Sequence, residues 1–247
     1  MAACPPGTVW FYKKAKASRG RGVFPITSLD QLPPEELAEA EAAVAASAAA
    51  AAATDDGAAS VPAATVAAAS GGGVFQQAVP NMLLWEGGRK FDLRVLVVMG
   101  PGRRAWLHRT LYMRVATEPL TPGDLGRASQ CTNISQGGTV LAVHGSAELS
   151  GYDTVLSGLL DAVRTVVSAM YDVLPAEGAI HYFGFDFMLD AQLKPWLLEV
   201  NSTPRLVNCN RTGAVHAALV ELLAGIVEPC LDGRPLGATG GWLPVHP

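Results

Sequence analysis

Residues 183–204, FGFDFMLDAQLKPWLLEVNSTP, restrict the fold more than any other stretch, because side-chain character alternates with a period of two on both sides of a short polar connection. Phe183, Phe185, Phe187 and Leu189 line one face of a first strand, and Trp196, Leu198 and Val200 one face of a second, with Asp190-Ala191-Gln192-Leu193 as the turn. Setting Asp190 across from Pro195 puts Asp186 opposite Glu199, and Asn201 joins Glu199 on its face. Like charges directly opposite each other destabilise a sheet, so the hairpin predicts a cation between them. Asp186, Glu199 and Asn201 are hard oxygen donors on adjacent strands. They suit Mg2+, which takes one or two carboxylates and keeps room for water and substrate phosphates.

The rest of the chain bounds the setting. With 247 residues, 49% of them hydrophobic, it is long enough for one large domain or two small ones. The longest stretch of low charge is alanine, too weakly apolar for a membrane span, and Lys13, Lys14 and Lys16 precede no apolar segment of a signal peptide. Cys4, Cys131, Cys209 and Cys230 form no C-x-x-C pair, which points to free thiols in a reducing, cytoplasmic setting. His108, His144, His181, His216 and His246 are too scattered for a zinc site. The net charge of −4 conceals an asymmetry: seven acids and no Lys or Arg lie between Ser28 and Gly73, leaving 15 acids against 18 bases elsewhere. A mildly basic body suits nucleotide phosphates or an acidic peptide and does not read as a nucleic-acid binder.

From Ala38 to Ala69, 19 of 32 residues are alanine. The front of this run has helix propensity, but the back offers no large apolar face. Residues 33–73 are therefore read as a low-complexity insertion, with the strands GTVWFYKK and GVFQQAV meeting across it. Further on, KFDLRVLVVMG reads as a strand and RAWLHRTLYMRVAT as one or two more. Val155, Leu159, Val163, Val166, Val167 and Met170 recur at helical spacing, and GAVHAALVELLAGIVEPCL reads as a second amphipathic helix ending at Pro229.

Other segments carry charge in patterns open to two readings. In KKAKASRGRGV, Lys13 at a strand end leads into a loop whose Ser18, Gly20 and Gly22 let backbone approach a phosphate, although a basic surface loop reads the same way and no Walker pattern is present. In KFDLR, Lys90, Asp92 and Arg94 share one strand face, either solvated or lining a cleft, and Arg114 repeats the arrangement in LYMRVAT.

In this order, these segments resemble the tubulin–tyrosine ligase family, whose members have an ATP-grasp fold. WFYKKAKASRGRGV is similar to the family's W-x-x-K-P…S-R-G-R-G-I segment, VFQQAVPNMLLWEGGRKFDLR to Q-x-Y-[IL]…G-R-K-F-D-[LI]-R, QCTNIS to H-L-T-N-x-S, and the hairpin matches nearly residue for residue. The departures are Lys14 for a proline, Ala78 for an aromatic and Gln130 for a histidine. The resemblance implies an α+β, ATP-grasp-like fold of largely antiparallel sheets with flanking helices. It also implies a central subdomain starting in residues 1–32, its remainder and the C-terminal subdomain in 74–235 and a tail over 236–247. The family's N-terminal subdomain is expected to be missing, as in an N-terminally truncated form. Carried over by position, Lys13 and Lys90 contact ATP phosphates, Arg21 binds ATP, Gln76 to Val79 hold the adenine, Asp92 faces the nucleotide, and Thr132 and Asn133 approach the ribose. Arg94 and Arg114 act at the γ-phosphate or acyl group, and Asp186, Glu199 and Asn201 bind Mg2+. The implied activity is ATP-dependent ligation of an amino acid, tyrosine favoured, to a carboxylate in the acidic tail of tubulin. Alternatives are a tubulin polyglutamylase or glycylase, or a non-catalytic tubulin-binding relative. The chain is expected to act as a monomer at the cytoskeleton or cilium, without membrane or nucleic-acid partners.

Overall fold

The computed structural model describes residues 8–14, 22–38, 41–42, 65–67, 73–100, 103–133, 137–174, 180–202, 204 and 241–245. Strands β1 (Trp10–Lys14), β2 (Val23–Ile26), β3 (Thr65–Ala67) and β4 (Gly73–Gln77) form a four-stranded antiparallel sheet in the order β2-β1-β4-β3. The strands flanking the alanine-rich stretch do meet: Phe11 lies opposite Gln76 and Lys13 opposite Val74. Opposed residues share a face. One face thus presents Phe11, Lys13 and Gln76, while Trp10, Tyr12, Phe24, Ile26 and Phe75 form a small core on the other with Leu32 and Leu37. The stretch read as an insertion is tied to this sheet near both ends. Glu36 is buried and ion-paired with Lys14, Leu37 packs on the small core, and β3 pairs with β4.

The larger sheet contains β5 (Leu84–Trp85), β6 (Arg89–Gly100), β7 (Arg104–His108), β8 (Leu111–Pro119), β9 (Thr139–Val143), β10 (His181–Leu189), β11 (Pro195–Asn201) and β12 (Trp242–Val245). Its spine is β6, whose 12 residues pair with β10 along one edge and with β8 and then β7 along the other. The back of the sheet carries Phe91, Leu93, Val95, Val97 and Met99 of β6 with Phe183, Phe185, Phe187 and Leu189 of β10. The long helix Tyr152–Met170 buries Val155, Leu159, Val163 and Val167 against them, as its periodicity predicts. At its start Gly151 has φ 74, and a Cβ there would lie 2.5 Å from Leu193 Cδ1, so helix entry and hairpin turn fit only with glycine. With these largely antiparallel sheets and a packed helix, the fold is α+β as expected.

Two readings change. A β-bulge in β11 lets Asp186 oppose Glu199 while Phe187 opposes Leu197, so Leu198 is the extra residue. Leu197 and Val200, rather than Trp196, Leu198 and Val200, then pack on the back core, and Trp196 Nε1 donates to Asp190 Oδ2 at 3.0 Å. The closing residues, read as a tail, include β12, which pairs with β7 and buries Trp242 and Val245; Pro244 is compatible with this strand because β12 is an edge. The second helix expected around GAVHAALVELLAGIVEPCL lies outside the described residues, as do Ser18, Gly20 and Arg21.

Candidate nucleotide and metal site

Alternation along β6 puts Lys90, Asp92 and Arg94 on the front of the larger sheet, opposite the packed back. The register then sets Glu199, Asp186 and Arg94 side by side across β11, β10 and β6, and Arg114 of β8 beside Asp92. Arg94 grips Asp186 through two parallel bonds, Nε to Oδ1 and Nη2 to Oδ2, both 2.7 Å. Arg114 spans two carboxylates, with Nε 2.6 Å from Asp92 Oδ1 and Nη2 2.9 Å from Asp186 Oδ2. Thr132 donates its hydroxyl to Asp92 Oδ2. Asn201 Nδ2 donates to Asp186 Oδ2 at 3.2 Å and to Glu199 Oε1 at 3.1 Å. Of the facing carboxylates of the hairpin, Asp186 is thus held by two guanidinium groups, and the Asn201 amide links it to Glu199. Bidentate, charge-assisted bonds of this kind are among the stronger ones available to a protein.

The carboxyl groups are shifted in different directions because their surroundings differ. Burial alone would raise Asp186, but Arg114 and Arg94 outweigh it and hold the group below the usual carboxylate range. Burial pushes Asp92 up against the pull of Arg114. For Arg114, burial opposes the charge, yet Asp92 and Asp186 keep the guanidinium firmly protonated. Glu199 is an exposed residue on the same front face. Desolvation first, then the Asp186 charge, raise its pKa. A second carboxylate so short of counter-charge, beside another carboxylate and an amide, fits a divalent cation with a preference for oxygen. Among the described residues no group of three or more His, Cys, Asp and Glu side chains is placed to hold a metal ion, so the candidate cation site rests on two carboxylates and an amide.

Gly184 keeps this site open. A Cβ there would lie 2.7 Å from Pro204 Cβ and 3.1 Å from Arg94 Cδ, displacing the guanidinium that holds Asp186.

Two lysines approach from either side. Lys13, on the small sheet, lies within electrostatic reach of Glu199, Asp186 and Asp92, and burial lowers its pKa despite their pull. Lys90 is 5% exposed and is lowered to about 8, chiefly by burial. Its ammonium lies 4.2 Å from the centre of the Phe11 ring and donates to Gln130 Oε1 at 3.2 Å. Among the described residues neither lysine has a carboxylate within ion-pair distance. Two desolvated ammonium groups beside a carboxylate pair match the chemistry of a bound polyphosphate.

Lys13, Lys90, Asp92, Arg94, Arg114, Thr132, Asp186, Glu199 and Asn201 therefore converge, and Asn133 follows directly on Thr132. Gln76 shares the Lys13 face of the small sheet, and Val79 is buried just beyond β4. Of the backbone donors assigned to adenine, the Ala78 N–H is already committed to the Val9 carbonyl at 2.9 Å. The carry-over by position does not assign Phe11 and Gln130 as ligands of Lys90. Phe11 was legible from its shared face with Lys13; Gln130 is 40 residues away from Lys90 and had no local signal.

The model of the YheC/D like ATP-grasp family matches residues 8–221. The chain is 24% identical over 225 residues to a probable tubulin polyglutamylase, ttll-9, of Caenorhabditis elegans, an alignment covering 82% of this chain and 47% of the relative. It is 26% identical over 229 residues to the probable tubulin polyglutamylase TTLL9 of Bos taurus, covering 81% and 49%. Against the tubulin monoglycylase TTLL3 of Danio rerio it is 25% identical over 225 residues, covering 80% and 26%. The chain thus spans about half the length of the two polyglutamylases it matches.

Proposed function

Given that the chain belongs to the ATP-grasp family, in its tubulin–tyrosine ligase-like branch, we propose that it forms the nucleotide-binding core of an ATP-dependent ligase joining glutamate or glycine to a side-chain carboxylate in the tail of tubulin. The observation that carries this reading is the pair of desolvated lysines, Lys13 and Lys90, beside the in-register carboxylates Asp186 and Glu199. Tyrosine, which the sequence favours, gives way to its alternatives because the relatives bear the names of polyglutamylases and glycylases.

In this reading Lys13 and Lys90, joined by Arg21, bind the phosphates, while Gln76 and the Val79 backbone hold the adenine and Thr132 and Asn133 the ribose. Asp186, Glu199 and Asn201 would hold Mg2+, which would screen the phosphate charge. Arg94 and Arg114 fix Asp186 in place and add positive charge where negative charge develops. The reaction class is phosphoryl transfer to an acceptor carboxylate, followed by displacement of phosphate by the amino group of a free amino acid. An acidic tubulin tail complements the mildly basic body, and activity on tubulin would place the protein at the cytoskeleton. None of the described helices is long and apolar enough to cross a membrane.

Incubating the chain with tubulin, Mg·ATP and labelled glutamate, glycine or tyrosine in parallel, then reading tubulin tails by mass spectrometry, tests the proposal. Glutamate or glycine is expected on side-chain carboxylates. Incorporation of tyrosine alone would overturn the choice of amino acid, and a chain without affinity for Mg·ATP would overturn the site itself.

A further inference from the structure

Gln130 stands between Lys90 and the loop that follows β8. Its amide nitrogen donates to the Asp124 carbonyl oxygen at 2.6 Å, and its Oε1 accepts from Lys90 Nζ at 3.2 Å. A carbonyl only accepts and an ammonium only donates, so a single orientation of the amide satisfies both neighbours. The loop holding Asp124 is itself braced. Asp124 Oδ1 accepts from the Gly126 N–H at 2.6 Å, and the Gly126 carbonyl accepts from Ser129 Oγ and the Gln130 N–H, both at 2.9 Å. On the other side of the ammonium lies the Phe11 ring of β1. Both partners are uncharged.

We propose that Gln130 and Phe11 are positioning residues that fix the Lys90 ammonium without neutralising it, so that its charge stays available to a nucleotide phosphate. A carboxylate at position 130 would cancel the charge on Lys90, whereas an amide orients it and leaves it positive. The clamp draws its two contacts from different parts of the fold, Phe11 from the small sheet and Gln130 from the segment after β8. The role assigned to the ammonium rests on the nucleotide reading above; the clamp itself rests on the contacts alone.

The groups facing Lys90 are Asp92 on its own strand, the Cys131 thiol and Lys13 of β1, besides Gln130 and Phe11. Two measurements separate the clamp from the nucleotide reading. In protein carrying 13C-labelled lysine, NMR reads the Lys90 titration midpoint without any ligand. Calorimetry reads Mg·ATP affinity at neutral pH. Gln130→Leu is expected to lower the midpoint by about one unit, since a hydrogen bond to the charged form is lost, and to weaken Mg·ATP by on the order of tenfold. Phe11→Leu acts in the same direction through loss of the cation–π contact. Gln130→His, which offers one ring nitrogen to donate and one to accept, restores both values. Wild-type midpoint and affinity in Gln130→Leu, or in Phe11→Leu should the first variant fail to fold, overturn the clamp. A lowered midpoint in a chain whose wild type ignores Mg·ATP upholds the clamp and overturns the nucleotide reading.

Discussion

Arg94 and Leu96 lie two residues apart on β6 and point to the same front face, yet their surroundings are opposite. Around Arg94 the face is a lateral ladder of charges: Glu199, Asp186, Arg94, Arg114 and Asp92. Around Leu96 it is apolar, with Val98, Trp106, Tyr112 and Trp242. The back of the strand is uniform throughout. One strand thus holds a half-polar stretch, written as alternation, and a stretch buried on both faces, written as the near-continuous apolar run VLVVM. The change of pattern within β6 marks where the site ends.

The two halves should fail differently. Asp186 is the hub of the polar half, and Asp186→Ala would take the carboxylate from the half-buried Arg94 and leave the buried Arg114 with Asp92 alone. Removing one partner of a buried ion pair costs about 3–5 kcal/mol, and urea unfolding should register a loss of that size. A loss below about 1 kcal/mol would show the ladder to be solvated. In the apolar half, Leu96→Ala should cost roughly 3 kcal/mol through a cavity while Mg·ATP affinity, read on the folded fraction, stays at the wild-type value. A matched fall in affinity would mean that the two halves are one site.

Lys90 provides a comparison in pH. Its folded pKa of about 8 lies below the ordinary 10.5, so between those values the unfolded chain binds the proton that the folded chain has released. Stability contributed by this group therefore rises with pH across that window, by up to roughly 3 kcal/mol, and is lost as pH falls toward 8. Phosphate binding needs the ammonium, so Mg·ATP affinity should move the other way and fall above pH 8. Lys90→Met should flatten both slopes. If the wild type loses stability between pH 8 and 10, the lysine is not buried as described.

The polar half was the more legible. Alternation fixed which residues of β6 face the site and anticipated Asp186 opposite Glu199, but by a different register: Leu189, not Asp190, lies across from Pro195, and the bulge brings Asp186 back to Glu199. The bulge at Leu198 was not legible: Leu197 and Leu198 are equally apolar, so hydrophobicity could not select which one faces inward. Nor was β12, where four residues including a proline follow glycine-rich sequence, pair with β7 and bury Trp242 and Val245. The network itself combines side chains distant in sequence. Alternation shows which way Arg114 points, but its bridge between Asp92 and Asp186 depends on the stagger of three strands.

Glu199→Gln is the smallest change and the sharpest test of the metal assignment. Glu199 has a raised pKa, so between the ordinary 4.5 and that higher value the folded chain binds the extra proton, and its contribution to stability declines as pH rises through this window. At neutral pH the carboxylate therefore does not help the protein without metal. Gln keeps the shape and removes the charge beside Asp186, so stability without ligand should stay within about 0.5 kcal/mol of wild type or rise slightly. With Mg·ATP at 100 times its dissociation constant, wild type should gain about 2.7 kcal/mol by mass action, and the variant should gain less. Thermal shifts with Mg2+ alone, ATP alone and both together separate metal from nucleotide. The deficit of the variant should be largest with both, because in the proposed site Glu199 would meet the nucleotide through the cation, whereas Lys13 and Lys90 would meet the phosphates directly. Equal shifts in wild type and Glu199→Gln under all three conditions would remove Glu199 from the metal site, leaving Asp186 held by arginines as a structural ladder.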